Sequence, residues 1–220
     1  MYLEIGQKKV FASALDWPGW SRSGRDEASA LEALYEWGPR YARALRSARL
    51  GFRAPADVSA LRVVERLKGG AGTDFGAPGV PASSDSQPVD AAELRRLQSV
   101  LRGCWRAFDA AVEAAQGKSL RTGPRGGGRA LARIVRHVLE ADAAYLGQVG
   151  WKFKPDETAD PGEELRRTRQ AILQALPAAA RGELPARGPR GGLRWSARFY
   201  VRYSAWHVLD HAWEIEDRAT

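Results

Sequence analysis

The chain is 220 residues long, 44% hydrophobic with eight Trp, and carries a net charge of +8. That length and apolar content suit one large domain or two small ones, no apolar run approaches the roughly 20 residues that span a bilayer, and a single cysteine, Cys104, excludes an intramolecular disulfide. Residues 1–9 lack a charged segment followed by an apolar one, so no signal peptide is expected and a cytoplasmic protein is the reading.

In chain order, residues 1–20 read as a hairpin. A strand at 2–5, a turn at 6–8 and a second strand at 9–15 are stopped by Asp16-Trp17-Pro18-Gly19. Asp26 or Ser23 caps a helix from about 27 to 47, in which Ala30, Leu31, Leu34, Trp37, Tyr41 and Leu45 recur at three- and four-residue spacing. A third strand is expected at 60–67, with Leu61, Val63, Glu65 and Leu67 on one face. These elements make a small β-β-α-β module. Residues 69–89, rich in Gly, Pro and Ser, are poor in core formers and read as a loop or linker, with Phe75 as an anchor.

Four helices follow. The first, at about 90–116, has a broad apolar stripe of Leu94, Leu97, Leu101, Cys104, Trp105, Phe108 and Val112. The loop Thr122-Gly123-Pro124-Arg125-Gly126-Gly127-Gly128 leads into the second, at about 129–149. Asp160-Pro161-Gly162-Glu163 starts the third with a cap, a proline and an acid in the first turn, and Leu176-Pro177 ends it. The last runs from about 196 to 217. Helices of this length joined by polar loops predict a bundle. The expected fold class is therefore α+β: a small module at 1–68, a linker at 69–89 and a C-terminal four-helix bundle at 90–220.

The charge is uneven. Six basic residues and no acid lie between Lys118 and Arg136, and five Arg and no acid between Arg187 and Arg202. Such stretches attract small anions or nucleic acid through the field they create, or are solvated loops of an arginine-biased composition.

The chain has three histidines, His137, His207 and His211, all in expected helices. His207 and His211 are four apart, a little over one turn, so both imidazoles project from one helix face. His137 on a neighbouring helix would complete a three-nitrogen set with open coordination positions, which suits catalysis better than a closed structural site. Imidazole ligates zinc, nickel and iron alike, so the metal is left open. Asp210, Glu214, Glu140 and Asp142 are near in sequence as partners for the non-ligating ring nitrogens; Glu216 and Asp217 read as a solvated helix end.

Two segments carry a resemblance, Ile134-Val135-Arg136-His137-Val138-Leu139-Glu140-Ala141-Asp142 and Tyr203-Ser204-Ala205-Trp206-His207-Val208-Leu209-Asp210-His211-Ala212-Trp213-Glu214. With them, residues 90–218 resemble the DinB-like (YfiT-like) four-helix bundle proteins. The resemblance implies a divalent metal held by His137, His207 and His211, and a thiol-dependent transferase or metal-dependent hydrolase. The partner it implies is a small-molecule substrate or low-molecular-weight thiol; the two basic stretches add the expectation that this partner is anionic. Residues 11–20 followed by Gly24-Arg25-Asp26-Glu27-Ala28 resemble, more weakly, the HicB-like antitoxin fold, itself similar to double-stranded-RNA-binding domains. The second reading is accordingly a nucleic-acid-binding or regulatory protein with the bundle as scaffold. The aromatic corner Trp17, Trp20 and Trp37 is read as local core. No membrane partner is expected, and monomer and homodimer are both left open.

Overall fold

The computed structural model describes residues 1–122 and 129–220; most of the glycine-rich loop before the second long helix lies outside the described residues. The class is α+β, with a small four-stranded sheet at the N-terminus and the long helices in the C-terminal half. No described helix is long and apolar enough to cross a membrane.

The sheet has the order β3 (Ser21–Gly24), β2 (Val10–Ser13), β1 (Tyr2–Ile5), β4 (Glu65–Lys68). Strands β1 (Tyr2–Ile5) and β2 (Val10–Ser13) form the expected antiparallel pair, with Tyr2 opposite Ser13. β4 (Glu65–Lys68) lies parallel to β1, with Tyr2 opposite Glu65. It is shorter than the expected strand at 60–67, because residues 58–60 turn as a 3-10 helix capped by Asp57. Strand β3 (Ser21–Gly24) was not foreseen. Its sequence, Ser-Arg-Ser-Gly, has little strand propensity. It forms because β2 offers it a ladder, Ser13 Oγ and Ser21 Oγ share a hydrogen bond of 2.6 Å, and the first helix closes over it.

That helix is two helices, α1 (Glu27–Glu36) and α2 (Gly38–Leu45), in place of one expected from 27 to 47. Asp26 is the cap of α1, its carboxylate accepting from Ser29 N at 2.8 Å. The break falls at Trp37, just before Pro39, whose ring and missing N–H disrupt a continuing helix. Helix α1 approaches the sheet so closely that a Cβ on Gly24 would lie 2.3 Å from Ala30 N. Gly24→Ala is expected to push α1 off the sheet and lower stability by about 1–3 kcal/mol, readable by urea unfolding.

Residues 69–89 are more than a linker. They hold a short helix α3 (Ala71–Phe75) and a 3-10 turn at Ser83–Ser86. Glu4, fully buried on β1, accepts from Thr73 Oγ1 at 2.5 Å, Val80 N at 2.9 Å and Gly79 N at 3.2 Å. Burial raises the Glu4 pKa, and these three donors oppose the rise. Asp85, in the 3-10 turn, is buried against Arg202 of the last helix.

Four long helices follow, α4 (Ala91–Ala114), α5 (Leu131–Gln148), α6 (Pro161–Ala180) and α7 (Ala197–Arg218). Asp160 is the expected cap of α6, and Asp90 and Ser196, at the expected starts of α4 and α7, likewise accept from first-turn amides. Helix α6 runs through Pro177, where an end was expected. The carbonyl of Leu173, deprived of the N–H that residue 177 would donate, instead accepts from Gln98 Nε2 of α4 at 3.3 Å. Helix α7 is the centre of the molecule. It packs on α4, α5 and α6, and receives the sheet module on its other side. There Phe11 meets Trp206 edge-on, and a Cβ on Gly19 (φ 93°) would fall 3.1 Å from Ala205. The aromatic corner is packed: Trp17, Trp20 and Tyr41 surround Phe52, and Trp37 lies on Trp213.

Candidate metal centre

Because α7 is covered on most sides, nearly every polar side chain on it is either partnered or held in an interior setting. His207 is 7% exposed. His211 follows it by one turn, and His137 comes from α5, which packs on α7. The three residues offer ring nitrogens that all lie within 4.8 Å of one another. His207 Nε2 and His137 Nε2 are 3.3 Å apart. The three rings meet edge to face, with centroids 4.7 to 5.2 Å apart.

These distances can be set against what a metal requires. Metal–nitrogen bonds of about 2.0–2.1 Å in a tetrahedral arrangement put ligand nitrogens about 3.3 Å apart. The His137–His207 pair already has that spacing. The remaining separations, bounded by 4.8 Å, need to close by at most about 1.5 Å to reach it.

Glu214 orients His211. Its Oε2 lies 2.9 Å from His211 Nδ1 and accepts from it; in the neutral form of the ring this leaves Nε2 with its lone pair for the cluster. The Glu214 carboxylate is held below its ordinary range chiefly by the hydrogen bond from His211, then by the charge of that ring and the hydrogen bond from Arg218. Arg218 donates to Glu214 Oε1, to the Arg121 carbonyl at 2.8 Å and to the Arg129 carbonyl at 3.0 Å. It therefore ties the two sides of the glycine-rich loop to the carboxylate that positions His211. Nothing in the spacing of Arg218 announced this role.

Burial is the first cause that lowers the pKa of His137 and, much further, of His207; the neighbouring imidazoles add to it, as does the Arg129 cation. Neutral imidazole is the form that ligates a metal, so these two rings are prepared for that use. His207 Nδ1 is buried with no partner among the described residues, and the edge of Tyr145 lies nearby, its ring centre 5.5 Å from that of His207.

The other acids considered from sequence go elsewhere. Asp210 turns to the sheet module, pairing with Arg22 at 2.9 Å beside the Trp37–Trp213 contact. Glu216 and Asp217, read as solvated, both bind Arg40 of α2, at 2.6 and 2.8 Å. Glu140 is exposed. Asp142 is fully buried, and neither carboxylate oxygen has a hydrogen-bond partner among the described residues. The lone Cys104 is also buried, and burial drives its thiol well above the ordinary range, which removes it as a nucleophile at neutral pH.

Comparisons of the chain with protein-family models, with curated proteins and with solved structures find no match.

Proposed function

We propose that the protein binds one divalent metal ion through His137, His207 and His211, in a DinB-like four-helix arrangement of α4–α7, and acts in the cytoplasm as a thiol-dependent transferase or metal-dependent hydrolase. The observation that carries this reading is the meeting of three ring nitrogens within 4.8 Å from residues 70 positions apart, one of them oriented by a carboxylate. A bound divalent metal would supply Lewis acidity and a lowered pKa for a water or thiol in its open position. The chain's own residues do the rest. His207 and His137, kept neutral by burial, present lone pairs. Glu214 fixes the tautomer of His211, and Arg218 fixes Glu214. Tyr145 walls one side of the cluster. Arg129, whose charge reaches His137 and His207, supplies a cation for an anionic group of the substrate. Zinc, nickel and iron all suit three imidazoles.

The test is elemental analysis of protein purified without added metal, for wild type, His211→Ala and Glu214→Gln. About one equivalent is expected in wild type and none in His211→Ala. Glu214→Gln is expected to weaken metal binding by about 10–100-fold in a chelator competition. Absence of metal from wild type, with added zinc, nickel and iron all failing to bind the folded protein, would overturn the reading.

A further inference from the structure

Arg129, Arg133 and Arg136 of the first basic stretch are exposed and form no ion pair among the described residues, whereas most of the second stretch is tied down by its neighbours. In the second stretch Arg198 pairs with Glu93 and Arg202 with Asp85, while Arg187 and Arg194 donate to the carbonyls of Gly191 and Gly147. A separate set, where α2 meets α4, forms no ion pair among the described residues. Arg43, Arg46 and Arg49 follow one another at three-residue spacing from the end of α2 through the 3-10 turn at Arg46–Ala48. Arg106 joins them from α4. The two elements touch closely: a Cβ on Gly103 would lie 2.8 Å from Leu45 Cδ2 and 3.3 Å from Ala48 Cβ. Arg106 Nε donates to Ser47 Oγ at 2.8 Å across the same junction.

All four arginines are exposed, and none forms an ion pair among the described residues. Two adjoining surface grooves of about 460 and 540 Å³ open here. Arg43 and Arg46 line both; Arg49 lines the first and Arg106 the second. The acid in the second groove, Glu216, is already held by Arg40. Arg49 is also the one described non-glycine residue at positive φ, 52°. A side-chain-bearing residue is strained there in a way that a glycine would avoid.

We propose that this α2–α4 face binds the phosphodiester backbone of double-stranded nucleic acid without reading its sequence. Four unpaired guanidinium groups spread over two adjoining grooves suit a series of anions rather than a single one, and the guanidinium fork matches phosphate oxygens. Stacking platforms of the kind that hold single strands are absent from the groove walls. The aromatic residues lining them, Phe52 and Trp213, have their rings packed against Trp17, Trp20, Tyr41 and Trp37. The proposal is independent of the metal centre.

Fluorescence anisotropy of labelled DNA and RNA duplexes of about 20 base pairs, titrated with the full chain between about 50 and about 200 mM salt, tests it. With four phosphates neutralised, the plot of log affinity against log salt is expected to fall with a slope of about −3.6. Arg43→Glu combined with Arg46→Glu is expected to weaken binding more than tenfold and to flatten the slope by about 2, with an unchanged thermal melt. Lys118→Glu combined with Arg190→Glu, at exposed positions outside these grooves, is expected to leave affinity within about threefold, since only contacted phosphates release counterions. Binding to either duplex that follows this pattern supports the proposal and assigns the duplex type. Four outcomes would each overturn it: no salt-sensitive binding, an Arg43/Arg46 reversal without effect, tighter binding of single strands than of duplexes, or competition by polyglutamate equal to that by duplex.

Discussion

Replacing Asp142 with Asn will remove the stability penalty that this one side chain imposes as pH rises from about 4 to about 8. Asp142 is buried in α5 with both oxygens unpartnered among the described residues, and burial pushes its pKa up to about 7 from an ordinary 3.8, against a smaller opposing influence of Arg169. The sign follows from proton counting. Below the unfolded value both states are protonated and the group is neutral to stability. Between the two values the folded protein keeps a proton that the unfolded chain has released, so stability falls as pH rises. Above about 7 both states are ionised and the fall stops. The full cost of the interval is about 4 kcal/mol, from about 1.4 kcal/mol per pH unit. Asn has similar shape and no titration, so the variant gains on the wild type through this window and holds the gain above it. Urea unfolding of both proteins at about pH 5 and about pH 8 measures the difference, and contributions common to both cancel. Equal pH dependence in the two would show that Asp142 is ionised throughout.

The second large effect lies at the join between the sheet module and the helices. Arg202 of α7 and Asp85 of the 83–86 turn are 5% and 1% exposed and bonded at 2.7 Å. Arg202 also donates to the Ala14 carbonyl at 2.5 Å and to the Leu15 carbonyl at 3.1 Å. A buried guanidinium cannot shed its charge, so Asp85→Ala leaves an uncompensated cation inside the protein. The expected loss is about 3–5 kcal/mol. The double change Asp85→Leu with Arg202→Met removes both charges. It is expected to recover much of that loss, because desolvating an ion pair offsets most of its attraction. Thermal unfolding of the wild type and the two variants reads the contrast. Limited proteolysis within 69–89 should accelerate in Asp85→Ala alone, since that segment is pinned to α7 through this pair. A double variant no more stable than Asp85→Ala would mean that Arg202 acts mainly through the two carbonyls it binds.

The helices of the second half were legible in the sequence because their signals are local. Asp90, Asp160 and Ser196 cap amides two or three residues away, and apolar spacing of three and four marks the buried faces. The His207–His211 spacing belongs to the same class, since geometry along one helix needs no knowledge of the rest of the chain. What failed was set by contacts distant in sequence. Ser21–Gly24 is a strand because β2 and α1 are there to receive it. Helix α6 survives Pro177 because Gln98 takes the orphaned carbonyl. A stretch of glycine, proline and serine between 69 and 89 is ordered because Glu4 and Arg202 bind it.

The same division runs through the candidate site. The sequence by itself determined that His137, His207 and His211 lie on helices and that two of them share a face, because a side chain's direction along a helix is a property of the backbone period. The folded chain alone settles that the three rings meet, that Glu214 rather than Asp210 attends them, that Arg218 holds Glu214, and that Arg43, Arg46, Arg49 and Arg106 gather where α2 meets α4. Each of those outcomes is a choice among competing partners for one charged or polar group. Such choices are settled by burial and distance across the fold, quantities that no stretch of neighbouring residues contains.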